Sequence, residues 1–190
     1  MRLSGLLQLS GVSKVRFDNW RRHELLPFYS GLSDGDASLE AEAASRRNVQ
    51  YSAADAFKLR LMADLVMSET SDGYQLFGLT PPAAKTLISN AMGYAIGRQF
   101  ETLGAFVGAP LYLGGLIVET DHDDPDFRRF SRWFAGPLEE FAAWVAQTGR
   151  DENGRPIRLA SVNARTAALY VLSQADDLGL DVDALMKEQV

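Results

Sequence analysis

Four cationic side chains and one asparagine occur within residues 14–22. Arginine can donate two hydrogen bonds to guanine, asparagine can pair bidentately with adenine, and a small apolar side chain can contact the thymine methyl group. On a helical wheel, Phe17 and Trp20 fall together, which predicts that they form the buried face of a short helix. Residues on the opposite face could then read base edges in the major groove of duplex DNA. The predicted base-contacting residues are Val15, Asp18, Asn19 and Arg22.

The edges of this face carry Lys14, Arg16 and Arg21. Cations in these positions would meet phosphates, which supply affinity and register without sequence information. Asp18 would repel phosphates, so it either accepts a hydrogen bond from cytosine or pairs along the helix with Lys14, Arg21 or Arg22. The alternative for the whole segment is a solvated amphipathic helix, because runs of charged residues usually form one. Two helices joined by a short glycine-containing turn also occur outside DNA-binding proteins.

The order of motifs over residues 3–61 resembles the winged helix-turn-helix head of the MerR family and its excisionase-like relatives. The matching residues are Gly11-Val12-Ser13 in the turn, Trp20 in the second helix, Leu25-Leu26-Pro27 at its end, and Tyr51-Ser52-Ala53-Ala54-Asp55 at the start of the next helix. Basic residues follow the tryptophan, as in the excisionase and phage-regulator branch. The resemblance covers about a third of the chain. It implies sequence-specific binding of duplex DNA, usually as a dimer on a two-fold site.

Two features depart from the family pattern. Glu24 stands where glycine usually precedes Leu-Leu-Pro, and 23 residues separate Pro27 from Tyr51, which makes the wing long and gives it an acidic insertion. The resemblance then implies wing contacts through Arg46 and Arg47 on a returning strand. The full set of predicted phosphate-contacting residues is Ser13, Lys14, Arg16, Arg21, Arg46, Arg47 and Tyr51.

The charge distribution agrees with one local DNA-binding surface on an acidic protein. The net charge is −6, which excludes a uniformly basic nucleic-acid binder. Residues 1–64 carry 9 Lys+Arg and 8 Asp+Glu, and four of those acids lie in the insertion. Without the insertion, residues 1–64 therefore keep 9 basic and 4 acidic side chains, a net charge of +5. Cysteine is absent, which excludes disulfides and thiolate metal sites and suits the cytoplasm. A DNA-binding protein is expected to associate with the nucleoid there. No apolar run is long enough to span a membrane.

Other groups of residues give weaker indications. The acidic stretch at residues 119–126 could ligate a hard cation with help from His122, but Pro125 occupies a ligand position of a calcium loop, so we expect a solvated loop, no metal and no cofactor. The aromatic series from Phe127 to Trp144 could line a ligand pocket, although aromatic residues at helical spacing are more often core. No phosphate-binding glycine loop and no nucleophile–base pair is present, so we do not expect an enzyme.

The elements that would position these residues are mainly helical. Helices are predicted over residues 3–9, 14–23 and 52–68, a returning strand at 46–51, a helix starting at Thr80-Pro81-Pro82, and strands at 111–119 and 157–161. Asp124 is predicted to start a helix whose inner side carries Phe127, Phe130, Trp133 and Phe134. Further helices are expected after Pro137 and after Asn163, the last ending before Gly179.

The predicted fold class is therefore mainly α with small β elements. Residues 1–68 would form the winged helix-turn-helix, with an extended wing loop at 31–45. Residues 74–190 would form a helical domain containing a small antiparallel sheet, which would mediate dimerisation, partner binding or regulation.

The predicted function is a bacterial or phage-type transcriptional regulator. The alternative is a phage assembly or packaging module, or an excisionase-like architectural factor, using the winged helix for protein or weak DNA contacts. The expected partners are duplex DNA, a second copy of the chain and a protein bound by the acidic C-terminal domain, without a membrane.

Overall fold

Apolar spacing and capping residues divide the amino-terminal part into three helices. A computed structural model describes residues 1–28, 49–66, 68–69, 75–76, 78–124, 128–151 and 154–190. Helix α1 spans Leu3–Ser10, α2 spans Lys14–Arg22 and α3 spans Ala53–Val66. These three confirm the predicted helices, with α3 ending two residues earlier than expected. The predicted wing loop lies outside the described residues, as do Arg46 and Arg47, and residues 49–51 are in no strand.

Helix α3 lies at the centre of the molecule. Ser52 and Asp55 form a reciprocal capping box at its start, because each side chain accepts a hydrogen bond from the other residue's backbone N–H, at 3.0 and 2.9 Å. Both of its predicted apolar seams are covered, with Phe57 on one and Leu59 and Met62 on the other all fully buried. This helix contacts α1 on the amino-terminal side and several later helices. One contiguous core therefore joins the two halves of the chain. The predicted boundary at residues 71–73 lies outside the described residues, and the division into domains stays a prediction.

The second half adds helices around a small sheet. A two-residue hairpin, β1 (Ser68–Glu69) and β2 (Gln75–Leu76), precedes α4 (Pro81–Gly97) and α5 (Leu103–Gly108). The strands β3 (Tyr112–Thr120), β4 (Arg129–Gly136) and β5 (Gly154–Asn163) pair antiparallel in the order β4-β3-β5. Helix α6 (Leu138–Asp151) lies between β4 and β5, and α7 (Ala164–Asp177) and α8 (Val182–Met186) follow. Thr80-Pro81 and Asn163 begin helices as predicted.

The predicted helix after Asp124 is wrong. Residues 125–127 lie outside the described part, and Arg129–Gly136 is strand β4. Aromatic residues at positions 130, 133 and 134 match helical spacing, but a run this short fits either period, and pairing with β3 decides in favour of the strand. The fold is accordingly mixed α/β, with eight helices and a three-stranded antiparallel sheet among the described residues, rather than mainly α. None of the helices in this part of the chain is long and apolar enough to cross a bilayer.

Helices cover both faces of the sheet. Successive residues of a strand point to opposite faces. A Cβ added at Gly114 would lie 2.3 Å from Phe141 of α6, whereas one at Gly115 would lie 3.4 Å from Leu87 of α4. Therefore α6 packs on one face and α4 on the other. Helix α7, which follows β5 in the chain, packs against α1, α3 and α5.

Candidate nucleic-acid interface

The turn between α1 and α2 is built around Gly11. Its φ of +69° lies in the left-handed region, and its N–H donates to the Leu7 carbonyl at 3.0 Å. A Cβ at this position would lie 2.5 Å from the hydroxyl oxygen of Tyr170 on α7. Glycine is therefore favoured here by the backbone conformation, and a larger residue would also have to displace the Tyr170 side chain. Two residues later, Ser13 starts α2 by accepting a hydrogen bond from the Arg16 N–H at 3.4 Å.

A cluster of three polar residues from α3 and α7 packs against the turn between α1 and α2. The guanidinium of Arg60 on α3 lies 3.9 Å from the ring centroid of Tyr170 and pairs with Asp64 at 2.7 Å. Burial raises the pKa of the Asp64 carboxyl, although the charge of Arg60 opposes this shift. These three residues tie the carboxy-terminal half to the back of the helix pair. Sequence reasoning missed them, because they are joined by tertiary packing and by no local motif.

Helix α2 buries the face that the wheel predicts. Phe17 is fully buried, and Trp20 is 2% exposed. The ring of Phe17 meets the Tyr51 ring edge to face at a centroid distance of 6.1 Å. This packing fixes the rotation of α2 about its own axis, and with it the identity of the residues that face solvent.

The solvent face of α2 carries three of the four predicted base-contacting residues. Val15 is 82% exposed, and Asn19 and Arg22 are also exposed. They follow one another at intervals of four and three residues, which places them in one stripe along the helix. An isolated exposed valine needs no explanation of its own. Beside an amide and a guanidinium in one stripe, it matches the predicted reading surface.

Asp18, the fourth predicted base-contacting residue, holds two cations. One carboxylate oxygen lies 2.6 Å from Lys14 Nζ, and the other lies 3.0 Å from an Arg21 guanidinium nitrogen. This is the pairing along the helix that the sequence left open, and it offsets the negative charge on the surface. Because exposed ion pairs contribute only about 0–1 kcal/mol, a phosphate could replace Asp18 as the partner of Lys14 at little cost.

The predicted phosphate-contacting residues fall into three groups. Ser13 and Lys14 are exposed at the start of α2, and the half-buried Arg16 and Arg21 follow them, with Arg21 lying 5.7 Å from the centroid of the Phe17 ring. Tyr51 is a core residue, 6% exposed, and burial raises the pKa of its phenol. We therefore leave Tyr51 out of the proposed interface. Arg46 and Arg47 lie outside the described residues.

Glu24, just after α2, occupies a backbone position that normally takes glycine. Glu24 has φ of +54°, its N–H donates to the Arg21 carbonyl at 3.1 Å, and the Leu25 N–H donates to the Trp20 carbonyl at 2.8 Å. This hydrogen-bond pattern is a Schellman motif, which normally places glycine in the left-handed position. Lys85 of α4 also donates to the Glu24 carbonyl at 2.6 Å. Glu24 is thus a strained residue in a backbone geometry that normally takes glycine.

Replacing Glu24 by glycine should stabilise the protein. A non-glycine residue in the left-handed region costs about 1–2 kcal/mol, and the greater freedom of glycine in the unfolded chain offsets part of that gain. We expect Glu24→Gly to raise the free energy of unfolding by roughly 0.5–1 kcal/mol in urea titrations. Glu24→Ala, which removes the carboxylate but keeps the strain, is the matched control and should give no comparable gain. Equal stabilisation by both variants would contradict the strain at this position.

The first residue of the acidic stretch at 119–126, Glu119, has its carboxylate paired with two arginines. Glu119 at the end of β3 binds Arg129 and Arg155, each at 2.7 Å, and these hydrogen bonds lower the pKa of its carboxyl. Within the ranges that the structure describes, no group of three or more histidine or acidic side chains could hold a metal ion. Asp126 lies outside those ranges.

Comparison of the chain with protein-family models and with curated proteins found no significant match. The MerR-like resemblance therefore depends on the residues of the helix-turn-helix segment, and the candidate interface depends on the geometry of α2.

Proposed function

We propose that this protein is a sequence-specific duplex-DNA-binding regulator that places α2 in the major groove. The observation that supports this most directly is the rotation of α2. With Phe17 and Trp20 buried, Val15, Asn19 and Arg22 are left exposed in one stripe. An amide, a guanidinium and a small apolar group together offer the hydrogen-bond donors, the acceptor and the apolar contact that base edges recognise.

The charges beside the stripe suit a phosphate backbone on each side of the groove. Lys14, Arg16 and Arg21 add cations at the edges of the stripe, while the one acid on this helix, Asp18, is already paired. The amino terminus of α2 also carries partial positive charge from the helix dipole, which favours an anion there. We propose that two copies bind a two-fold site, as the family resemblance implies.

Selection of bound sequences from random duplexes tests the proposal directly. We expect a consensus to emerge, and affinity to fall steeply with salt because binding releases counterions. Three edge cations per protomer would give about six phosphate contacts in a dimer, and so about a 10³-fold loss between 50 and 200 mM salt. A chain that binds weakly and selects no consensus would instead match the alternative, an assembly module with protein or weak DNA contacts.

A further inference from the structure

A cavity of about 370 Å³ lies between α4 and the sheet and opens to solvent. Small-molecule sites typically measure about 300–1,000 Å³, are lined mainly by apolar groups and contain a few polar ones. The walls here are Leu87 and Pro82 from α4, with Trp133 from β4, and the lining is predominantly apolar.

The sheet is shaped locally around this cavity. Gly115 lies in its wall, and a Cβ there would be 2.8 Å from the Trp133 ring. The absence of a side chain therefore lets the indole lie directly over β3. Across β3, the register with β5 shifts between Ile117 and Val118, which leaves Ile157 as the extra residue of a bulge next to Arg158. Bulges often redirect a side chain beside a functional site.

Arg158 supplies the charge of the cavity. Among the described residues, it is the one charged side chain that lines the cavity, and it has no ion pair with any of them. Thr86 and Ser131 add hydroxyls to the lining. An occupant with an apolar, flat body would fill the space beside Trp133, and an anionic group would pair with the guanidinium, which binds carboxylates in a bidentate manner.

The same helix connects the cavity to the end of α2. Pro82 and Thr86 line the cavity, and Lys85 between them donates its hydrogen bond to the Glu24 carbonyl, where the chain leaves α2. At the entrance to α4, the Leu79 N–H donates to the Leu65 carbonyl at the end of α3, at 2.8 Å. A ligand that contacts α4 would therefore restrain both of these connections.

We propose that the cavity binds a small aromatic carboxylate, and that its occupancy is transmitted through Lys85 to the carboxy-terminal end of α2. The binding step involves no DNA, so it succeeds or fails independently of the proposed regulatory function. If both proposals hold, the ligand is an effector that modulates DNA binding.

Calorimetric titration with 2-naphthoate and its uncharged amide, 2-naphthamide, tests the binding site. We expect saturable binding of both, with the carboxylate about tenfold tighter because of its charge-assisted hydrogen bonds. Arg158→Gln should abolish that difference. Ala83 of α4 also lines the cavity, so the larger side chain of Ala83→Leu should occupy the space and remove binding of both compounds. Arg165→Gln on the exposed surface of α7 is the matched loss of an arginine and should change nothing. Absence of binding to the wild-type chain, or binding that neither cavity variant alters, would overturn the site.

Hydrogen exchange tests the connection. Saturation with 2-naphthoate should slow exchange of the amides of residues 20–26 in the wild-type chain. Lys85→Met, which keeps the length of the side chain but cannot donate, should bind the compound normally and lose this protection. Unchanged exchange at residues 20–26 in the saturated wild-type chain would overturn the transmission through Lys85.

Discussion

Arg22→Ala should relax the selected DNA sequence at one base-pair position while leaving the others intact. Arg22 lies in the exposed stripe of α2, and its guanidinium pairs with no carboxylate in the described part of the chain. A bidentate contact to guanine is worth about 1–3 kcal/mol of discrimination against the wrong base. We therefore expect the preference at that position to fall by roughly 5- to 150-fold. Parallel selections with the wild type and the variant from one random pool measure this change.

Lys14→Ala provides the contrasting result. A residue that contacts phosphate contributes affinity without sequence information, so this variant should weaken binding to all duplexes alike and reduce the salt slope by about one. Removing Lys14 also takes one cation away from Asp18, which adds to the uniform loss. If Arg22→Ala lost affinity uniformly and kept the wild-type consensus, the orientation proposed for α2 in the groove would be wrong.

Local chemistry made the helix boundaries predictable. Ser13 and Asn163 each accept a hydrogen bond from the N–H three residues ahead, and the helices begin where these side chains predict. Thr80 also precedes a predicted helix, although its hydroxyl makes no capping hydrogen bond, and the prolines that follow it mark the start. The buried face of α2 was predictable for a similar reason, because Phe17 and Trp20 are the aromatic side chains of a segment that is otherwise polar except for Val15. In all of these cases the determining residues lie within one helical turn of each other.

Strand β4 shows where local pattern fails. Phe130, Trp133 and Phe134 satisfy the spacing of a helix face, yet in the strand Trp133 and Phe134 point to opposite sides of the sheet. Phe134 packs on Phe141 of α6, whereas Trp133 lies against Gly115 on the side of α4. Aromatic residues on both faces are expected for a strand covered on both sides, and this cover comes from helices that lie elsewhere in the sequence. The prediction erred because it assumed that aromatic residues share one buried side.

Long-range contacts could not be predicted at all. Glu188 accepts a hydrogen bond from the Ala53 N–H at 2.7 Å and so caps α3 across 135 residues. Lys85 reaches Glu24 in a similar way, across 61 residues. Such contacts join surfaces that only the folded chain brings together, and neither partner has a distinctive sequence context. The cavity beside Trp133 is also of this kind, since four separate segments build it.

Trp20→Ala should lower the free energy of unfolding by roughly 3–5 kcal/mol. Trp20 is 2% exposed, and truncation of a buried aromatic residue removes its transfer free energy and leaves a cavity. Its loss should also loosen the motif that ends α2, because Leu25 in that motif packs against the same core. Because that core continues from α1 and α2 into α4 and α7, we expect one cooperative transition at lower denaturant concentration rather than separate melting of an amino-terminal domain.

Val15→Ala is the matched control for this prediction. Val15 is on the same helix but 82% exposed, so its truncation should change stability by no more than about 0.5 kcal/mol. Circular dichroism and tryptophan fluorescence, followed in the same urea titrations, report the transition of each variant. An unchanged midpoint for Trp20→Ala would show that Trp20 is not a core residue. The stripe of Val15, Asn19 and Arg22 would then no longer be the solvent face of α2, and the proposed base contacts would fail with it.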